Sequence, residues 1–107
     1  MYFVDFSEKA KEDLNGFQHN IAEYIEKILR KELQDNPTNK GRYLGKSQLT
    51  RLTYWEKRFF AHGGFRAYYT ISNGDVTIEM IIYDGKVIVD RVSNKKDQKK
   101  MLKRLGI

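Results

Sequence analysis

The side chains of this 107-residue chain that could do chemistry are cationic and aromatic, and they gather in its strand-forming half. Arg51, Glu56, Lys57, Arg58, Arg66, Tyr68 and Arg91 all fall in segments rich in β-formers. Residues of these types can act on a phosphodiester without a metal. A ribose 2′-hydroxyl attacks the adjacent phosphorus when a base takes its proton and an acid protonates the leaving oxygen. Arg or Lys then balances the phosphorane charge. The interleaved Tyr54, Trp55, Phe59 and Tyr68 can stack on unpaired bases, although strand aromatics more often fill a core. Arg66 lies between Phe65 and Ala67, so on strand alternation it points away from the face those two share. His62 sits on the turn Ala61-His62-Gly63-Gly64, a place where functional groups are often presented. His19, near a helix break, reads as structural.

Other chemistries find little support. The chain has no cysteine, which removes disulfides and thiolate sites and agrees with a reducing, cytoplasmic setting. His19 and His62 are the only histidines, and neither has a partner at metal-ligand spacing. Neither a P-loop nor a dinucleotide glycine motif is present, and no Ser-His-acid set can be assembled. No metal, cofactor or small-molecule ligand is therefore expected. The opening Met1-Tyr2-Phe3-Val4-Asp5-Phe6 lacks the basic and apolar regions of a signal peptide. No segment reaches the ~20 apolar residues of a membrane span.

The net charge of +6 is unevenly spread. Residues 1–39 carry 5 Lys or Arg against 8 Asp or Glu, whereas residues 40–107 carry 15 against 6. The second half thus holds a net +9. A localised positive surface attracts phosphate backbones, or acidic proteins that imitate them. Lys95, Lys96 and Lys99 add to it near the C-terminal end, where a solvated helix face explains them about as well as a polyanion contact.

The elements that must position these groups can be read in order. Residues 2–6 suggest a short strand, after which Ser7 caps a helix carrying Ala10, Leu14 and Phe17 at helical spacing. Asn15-Gly16 breaks it. A second helix follows through Ile21, Ile25, Ile28, Leu29 and Leu33, and Asp35-Asn36-Pro37 stops that one. Residues 36–48 read as a loop. Strands are expected over 51–60, 65–71, 76–82 and 87–92, with hairpin turns at Asn73-Gly74 and Asp84-Gly85. Short connections imply an antiparallel meander. Ser93 or Asn94 can cap a last, basic helix with Met101, Leu102 and Leu105 as its apolar stripe. The expected fold is α+β in one domain, 1–107: a short strand, a two-helix hairpin packed on a meander sheet, and a basic C-terminal helix.

This order resembles the RelE/ParE toxin superfamily. Three stretches carry the resemblance. Val4-Asp5-Phe6-Ser7-Glu8-Lys9-Ala10-Lys11-Glu12-Asp13-Leu14 is similar to the family's opening strand and helix. Gly63-Gly64-Phe65-Arg66-Ala67-Tyr68-Tyr69 resembles its Gly-aromatic-Arg strand, whose arginine is often functional. Val89-Asp90-Arg91-Val92-Ser93-Asn94-Lys95-Lys96-Asp97 resembles its final strand and the polar segment beyond.

The resemblance implies the toxin of a type II toxin–antitoxin pair, neutralised by an acidic antitoxin laid over the basic surface. RelE-like members cleave mRNA at the ribosome, without metal, and ParE-like members inhibit DNA gyrase. On the first reading Arg66, Lys95 and His62 are the catalytic candidates. Arg51, Lys57, Arg58, Arg91, Lys96 and Lys99 are then candidate RNA and phosphate contacts. On the second, the chain is a non-enzymatic inhibitor of a protein target or a basic nucleic-acid-binding module. The family's C-terminal histidine, arginine and tyrosine fall at Asn94, Lys95 and Lys99, so its acid–base pair does not transfer. Lys95 keeps the cation but not arginine's planar fork. Two hairpin turns between Arg66 and Arg91 also imply a strand beyond the family's pattern.

Overall fold

The computed structural model describes residues 1–107. Strand β1 spans Tyr2–Phe6 and feeds helix α1, Glu8–Asn15. Ser7 joins them as expected: its Oγ accepts from the Ala10 N–H at 3.0 Å and donates to the Asp90 carbonyl at 2.7 Å. The first bond caps the helix and the second ties the cap to the sheet. Gly16 ends α1, and α2 runs over His19–Leu33. Asn36, in a left-handed conformation, and Pro37 stop it. Pro37–Lys40 then forms one further turn, α3, because proline's fixed φ suits a first helical position.

Five strands form one sheet in the order β1-β5-β4-β3-β2. β2 (Arg42–Lys46), β3 (Thr53–Phe59), β4 (Phe65–Ile78) and β5 (Ile81–Asn94) make the antiparallel meander. β1 adds to β5 in parallel, from Tyr2 opposite Gly85 to Phe6 opposite Val89. No hairpin joins those two, so parallel pairing is open to them. A 3₁₀ turn at Ala61–Gly63 links β3 to β4, and another at Lys95–Asp97 leads into α4, Gln98–Leu105. Asn94 caps that second turn by accepting from the Asp97 N–H at 3.0 Å.

The sheet buries both faces. Alternation sends Phe65, Ala67 and Tyr69 of β4 to the side of α1 and α2. There they pack with Val4, Phe6, Ile25, Leu29, Val87 and Val89. The opposite face carries Tyr54 and Tyr68, covered by Met101 and Leu105 of α4. Burying each such side chain contributes about 1.5–3 kcal/mol relative to exposure.

Two expectations about the chain's course are corrected. Residues 36–48 are not simply a loop, since they hold α3 and the edge strand β2. The turns at Asn73-Gly74 and Asp84-Gly85 do not form, because both dipeptides lie inside long strands. Gly74, at φ +115°, sits in a bulge where the β4–β5 register shifts between Asn73 and Val76. Gly85 is buried, and a Cβ there would collide with the Ser72 carbonyl and the Tyr2 ring. Its hydrogen atom is needed for close approach rather than for a turn. The chain reverses instead at Glu79 and Met80, both left-handed with φ of 50° and 67°. β4 and β5 are thus direct neighbours, and no extra strand separates Arg66 from Arg91.

Candidate functional site

The sheet face under α4 is built from alternate residues of three strands. Tyr54, Glu56 and Arg58 come from β3, and Arg66 and Tyr68 from β4. Ser93 comes from β5. The register places Arg58, Arg66 and Ser93 in one row across the sheet. Arg66 is 5% exposed. Its one hydrogen bond is long, from Nη1 to the Phe65 carbonyl at 3.5 Å, and its Nε has no partner. A buried guanidinium with an unused donor is costly unless an acceptor completes it.

Glu56 lies one row along, 1% exposed. Its Oε1 receives Arg58 Nε at 3.0 Å and Arg42 Nη2 at 3.2 Å, and its Oε2 receives Gln98 Nε2 at 2.8 Å. One carboxylate therefore fixes an arginine from each of two strands and the first residue of α4. The Tyr68 hydroxyl lies 3.3 Å from Ser93 Oγ. Burial raises the Tyr68 pKa most. Its hydrogen bond to Ser93 opposes that, the Glu56 charge adds to it, and Arg66 and Arg58 oppose it. Tyr54 donates to Asp90 at 2.8 Å, and its pKa too is raised chiefly by burial. Both phenols thus stay protonated at neutral pH.

The sequence candidates separate into two groups. Arg66, Arg58, Lys95, Lys96 and Lys99 lie on or beside this face. The Lys95 N–H bonds the Gly64 carbonyl at 3.2 Å, so Lys95 flanks the start of β4 two residues before Arg66. Lys96 and Lys99 are exposed on the 3₁₀ turn and α4. The others point elsewhere. Lys57 pairs with Ala67 in register, faces the α1–α2 side and lies 5.4 Å over the Phe59 ring. Arg51, in a left-handed conformation, lines a cleft with Thr38, Trp55 and Asn73. His62 packs edge-on against Tyr24 of α2, ring centres 4.8 Å apart. Arg91 forks onto Asp13 of α1, with Nε and Nη2 at 2.8 and 2.9 Å, while Asp13 also accepts the Val92 N–H. The Asp13 bond holds the guanidinium pKa above its usual value, and two of its donors join α1 to β5.

Glu56 was the member least visible in the sequence. Its place between Arg42, Arg58 and Gln98 depends on residues 14 before and 42 after it. The only local signal is the alternation Tyr54-x-Glu56-x-Arg58. No group of three or more His, Asp or Glu side chains gathers anywhere in the chain.

With this geometry, two solved structures align over nearly the whole chain. The isolated E. coli RelE toxin matches with a TM-score of 0.56 at 19% identity, over 97% of this chain and 98% of that one. An arginine-to-alanine double mutant of E. coli toxin RelE in the free state gives 0.52 at 15% identity, over 98% and 93%. The chain has the RelE fold. By sequence it matches no family model and no curated protein. In this RelE fold the Gly64-Phe65-Arg66 stretch opens β4, and Phe65 anchors it in the α1–α2 core. The arginine is thereby turned to the face under α4. No helix is long and apolar enough to cross a membrane.

Proposed function

We propose that this protein is the toxin of a type II toxin–antitoxin pair, acting in the cytoplasm on mRNA at the ribosome as a metal-independent endoribonuclease. The observation that carries the reading is the buried, partly unpartnered Arg66 in a cationic row on a RelE-fold sheet. A guanidinium held in that way offers planar donors to a phosphate and acts more strongly for being shielded from water. The 2′-hydroxyl of one nucleotide attacks the adjacent phosphorus, and the bond to the next 5′-oxygen breaks, leaving a 2′,3′-cyclic phosphate and a 5′-hydroxyl. Arg66 balances the phosphorane charge. The 2′-hydroxyl proton passes to water and Lys95 supplies one to the leaving oxygen, while Glu56, its carboxylate filled by Arg42, Arg58 and Gln98, holds Arg58 in place. Arg58, Lys96 and Lys99 hold the strand. His62, engaged with Tyr24, has no part in this scheme, and Arg91 serves the scaffold. An acidic antitoxin fits the same cationic row.

The test pairs growth after induction with cleavage of mRNA on purified ribosomes. Wild type is expected to arrest growth and cut the message, and Arg66→Ala to do neither while melting at a similar temperature. Toxicity that survives in folded Arg66→Ala overturns the assignment.

A second reading is favoured by one specific observation: Met101 and Leu105 of α4 pack over Tyr54 and Tyr68 on the sheet face that carries Arg66. On it the chain is a non-enzymatic, ParE-like inhibitor of a protein target. Growth arrest with intact mRNA and blocked DNA supercoiling would select it.

A further inference from the structure

Beyond Asn73 and Gly85 the strands β4 and β5 leave the sheet as a two-stranded arm. β1 begins opposite Gly85, and β3 pairs with β4 no further than Tyr69. Apart from Asp84, whose N–H donates to the Met1 carbonyl at 2.8 Å, the arm's strands pair only with each other, at Val76–Tyr83, Thr77–Ile82 and Ile78–Ile81, so both edges are free from Tyr83 outward. Its end is apolar on both faces: Met80 is 96% exposed, Ile82 71% and Ile81 50%. Residues 73–84 also hold three acids, Asp75, Glu79 and Asp84, and no Lys or Arg. Asp84 meets the Met1 amino group, whereas Asp75 and Glu79 have no cation in their own segment. An isolated two-stranded ribbon is marginally stable in water, and free edges beside exposed apolar side chains favour association.

The charge of the arm selects its partner. An acidic antitoxin or a nucleic acid is repelled by Asp75 and Glu79, so the complement must be cationic and apolar. This chain presents that combination at the other end of β4. Phe60 is 89% exposed at the start of the turn between β3 and β4; Lys57 and Arg58 precede it on β3, and the Lys95 side chain lies against Gly64 at the end of the turn. We infer that two copies of the chain pair about a two-fold axis, each arm lying on the Phe60 end of its partner. Because arm and acceptor are at opposite ends of one strand, an antiparallel arrangement satisfies both contacts at once and closes the assembly. The inference is independent of any nuclease activity, although the acceptor end adjoins the Arg58–Arg66 row.

The test is the mass of the purified full chain by sedimentation equilibrium at rising protein concentration, in low and high salt. A species of twice the 12.7 kDa chain mass is expected, weakening as salt screens the contact. Met80→Ser with Ile82→Ser, Glu79→Lys and Phe60→Ala should each raise the dimer dissociation constant at least about tenfold, roughly the effect of losing 1.4 kcal/mol. Their circular dichroism should remain native. The absence of cysteine allows a second measurement. Mixed under oxidation, the Met80→Cys and Phe60→Cys proteins should cross-link to each other in preference to themselves. A monomer at every concentration overturns the inference. So does a dimer indifferent to the arm substitutions, or one cross-linked mainly between two Met80→Cys chains.

Discussion

Arg66 and Arg91 show how one residue type is put to two uses by its neighbours. Arg66 is buried with a free Nε, whereas Arg91 forks onto Asp13 through Nε and Nη2. Truncating each separates the roles. If the chain is the proposed ribonuclease, Arg66→Ala is expected to lower mRNA cleavage by about 10²–10³-fold, the usual cost of deleting one preorganised donor to a developing charge. Its denaturant midpoint should hold or rise, because an incompletely bonded guanidinium leaves the interior. Arg66→Lys should recover only part of the rate, since an ammonium lacks the fork. Arg91→Ala strands Asp13, whose carboxylate is 15% exposed, and should cost about 3 kcal/mol of stability in urea titrations. On the proposed reading Lys95→Ala, at an exposed position, should slow cleavage by about 10²-fold or more and flatten the salt dependence of RNA binding by about one charge, with the urea midpoint unchanged.

Among elements, the β4–β5 hairpin carries its turn on unsuited residues. Glu79 and Met80 both adopt positive φ, which for residues with a Cβ costs about 1–2 kcal/mol each. The Asn-Gly dipeptide that such a turn favours lies instead at Asn73-Gly74, within the bulge. Replacing Glu79→Asn and Met80→Gly together should raise stability by about 1 kcal/mol in thermal or chemical unfolding. The same pair removes the most exposed apolar side chain and one acid of the arm. Any self-association should fall while the melting temperature rises, and a change of both in the same direction would refute the assignment of the turn. Helix α4 works differently. Its amphipathic stripe seals Tyr54 and Tyr68, and Gln98 latches it to Glu56. The Ser47 hydroxyl holds its last turn by donating to the Leu105 carbonyl.

Across the whole molecule, three buried tyrosines divide between the two faces of the sheet: Tyr69 on the α1–α2 side, Tyr54 and Tyr68 beneath α4. Burial raises all three above the ordinary phenol value of 10.0, Tyr69 the most. The sign follows from linkage. Once pH passes 10.0 the unfolded chain releases these protons while the folded chain keeps them, so ionisation favours unfolding. The stabilisation is fully present below that pH and is lost as pH climbs toward the folded values. Alkaline titration should therefore show Tyr54, Tyr68 and Tyr69 resisting ionisation while the fold persists. Their tyrosinate absorbance should appear together with loss of the circular dichroism signal. Ionisation of these three tyrosines near the ordinary phenol value, with structure retained, would contradict this packing.

What the sequence by itself determined were features with a local cause. Ser7 as a cap, the Gly16 break and the apolar spacing of α2 are written within a few residues, and so is the turning of Arg66 away from Phe65 and Ala67. The structure reproduces each of them. What only the tertiary structure decided were features with distant causes. β2 has no clear alternation and becomes a strand by pairing with β3, with a register shift between Tyr43 and Gly45. Gly85 is required by a ring and a carbonyl from two other strands, so a signal that locally means a turn means close packing here. Arg91 finds its acid 78 residues away, and Glu56 is buried by a helix that begins 42 residues later. Ion pairs and burial are set by which surfaces meet, and a cation or a carboxylate in sequence carries no mark of the partner that will neutralise it.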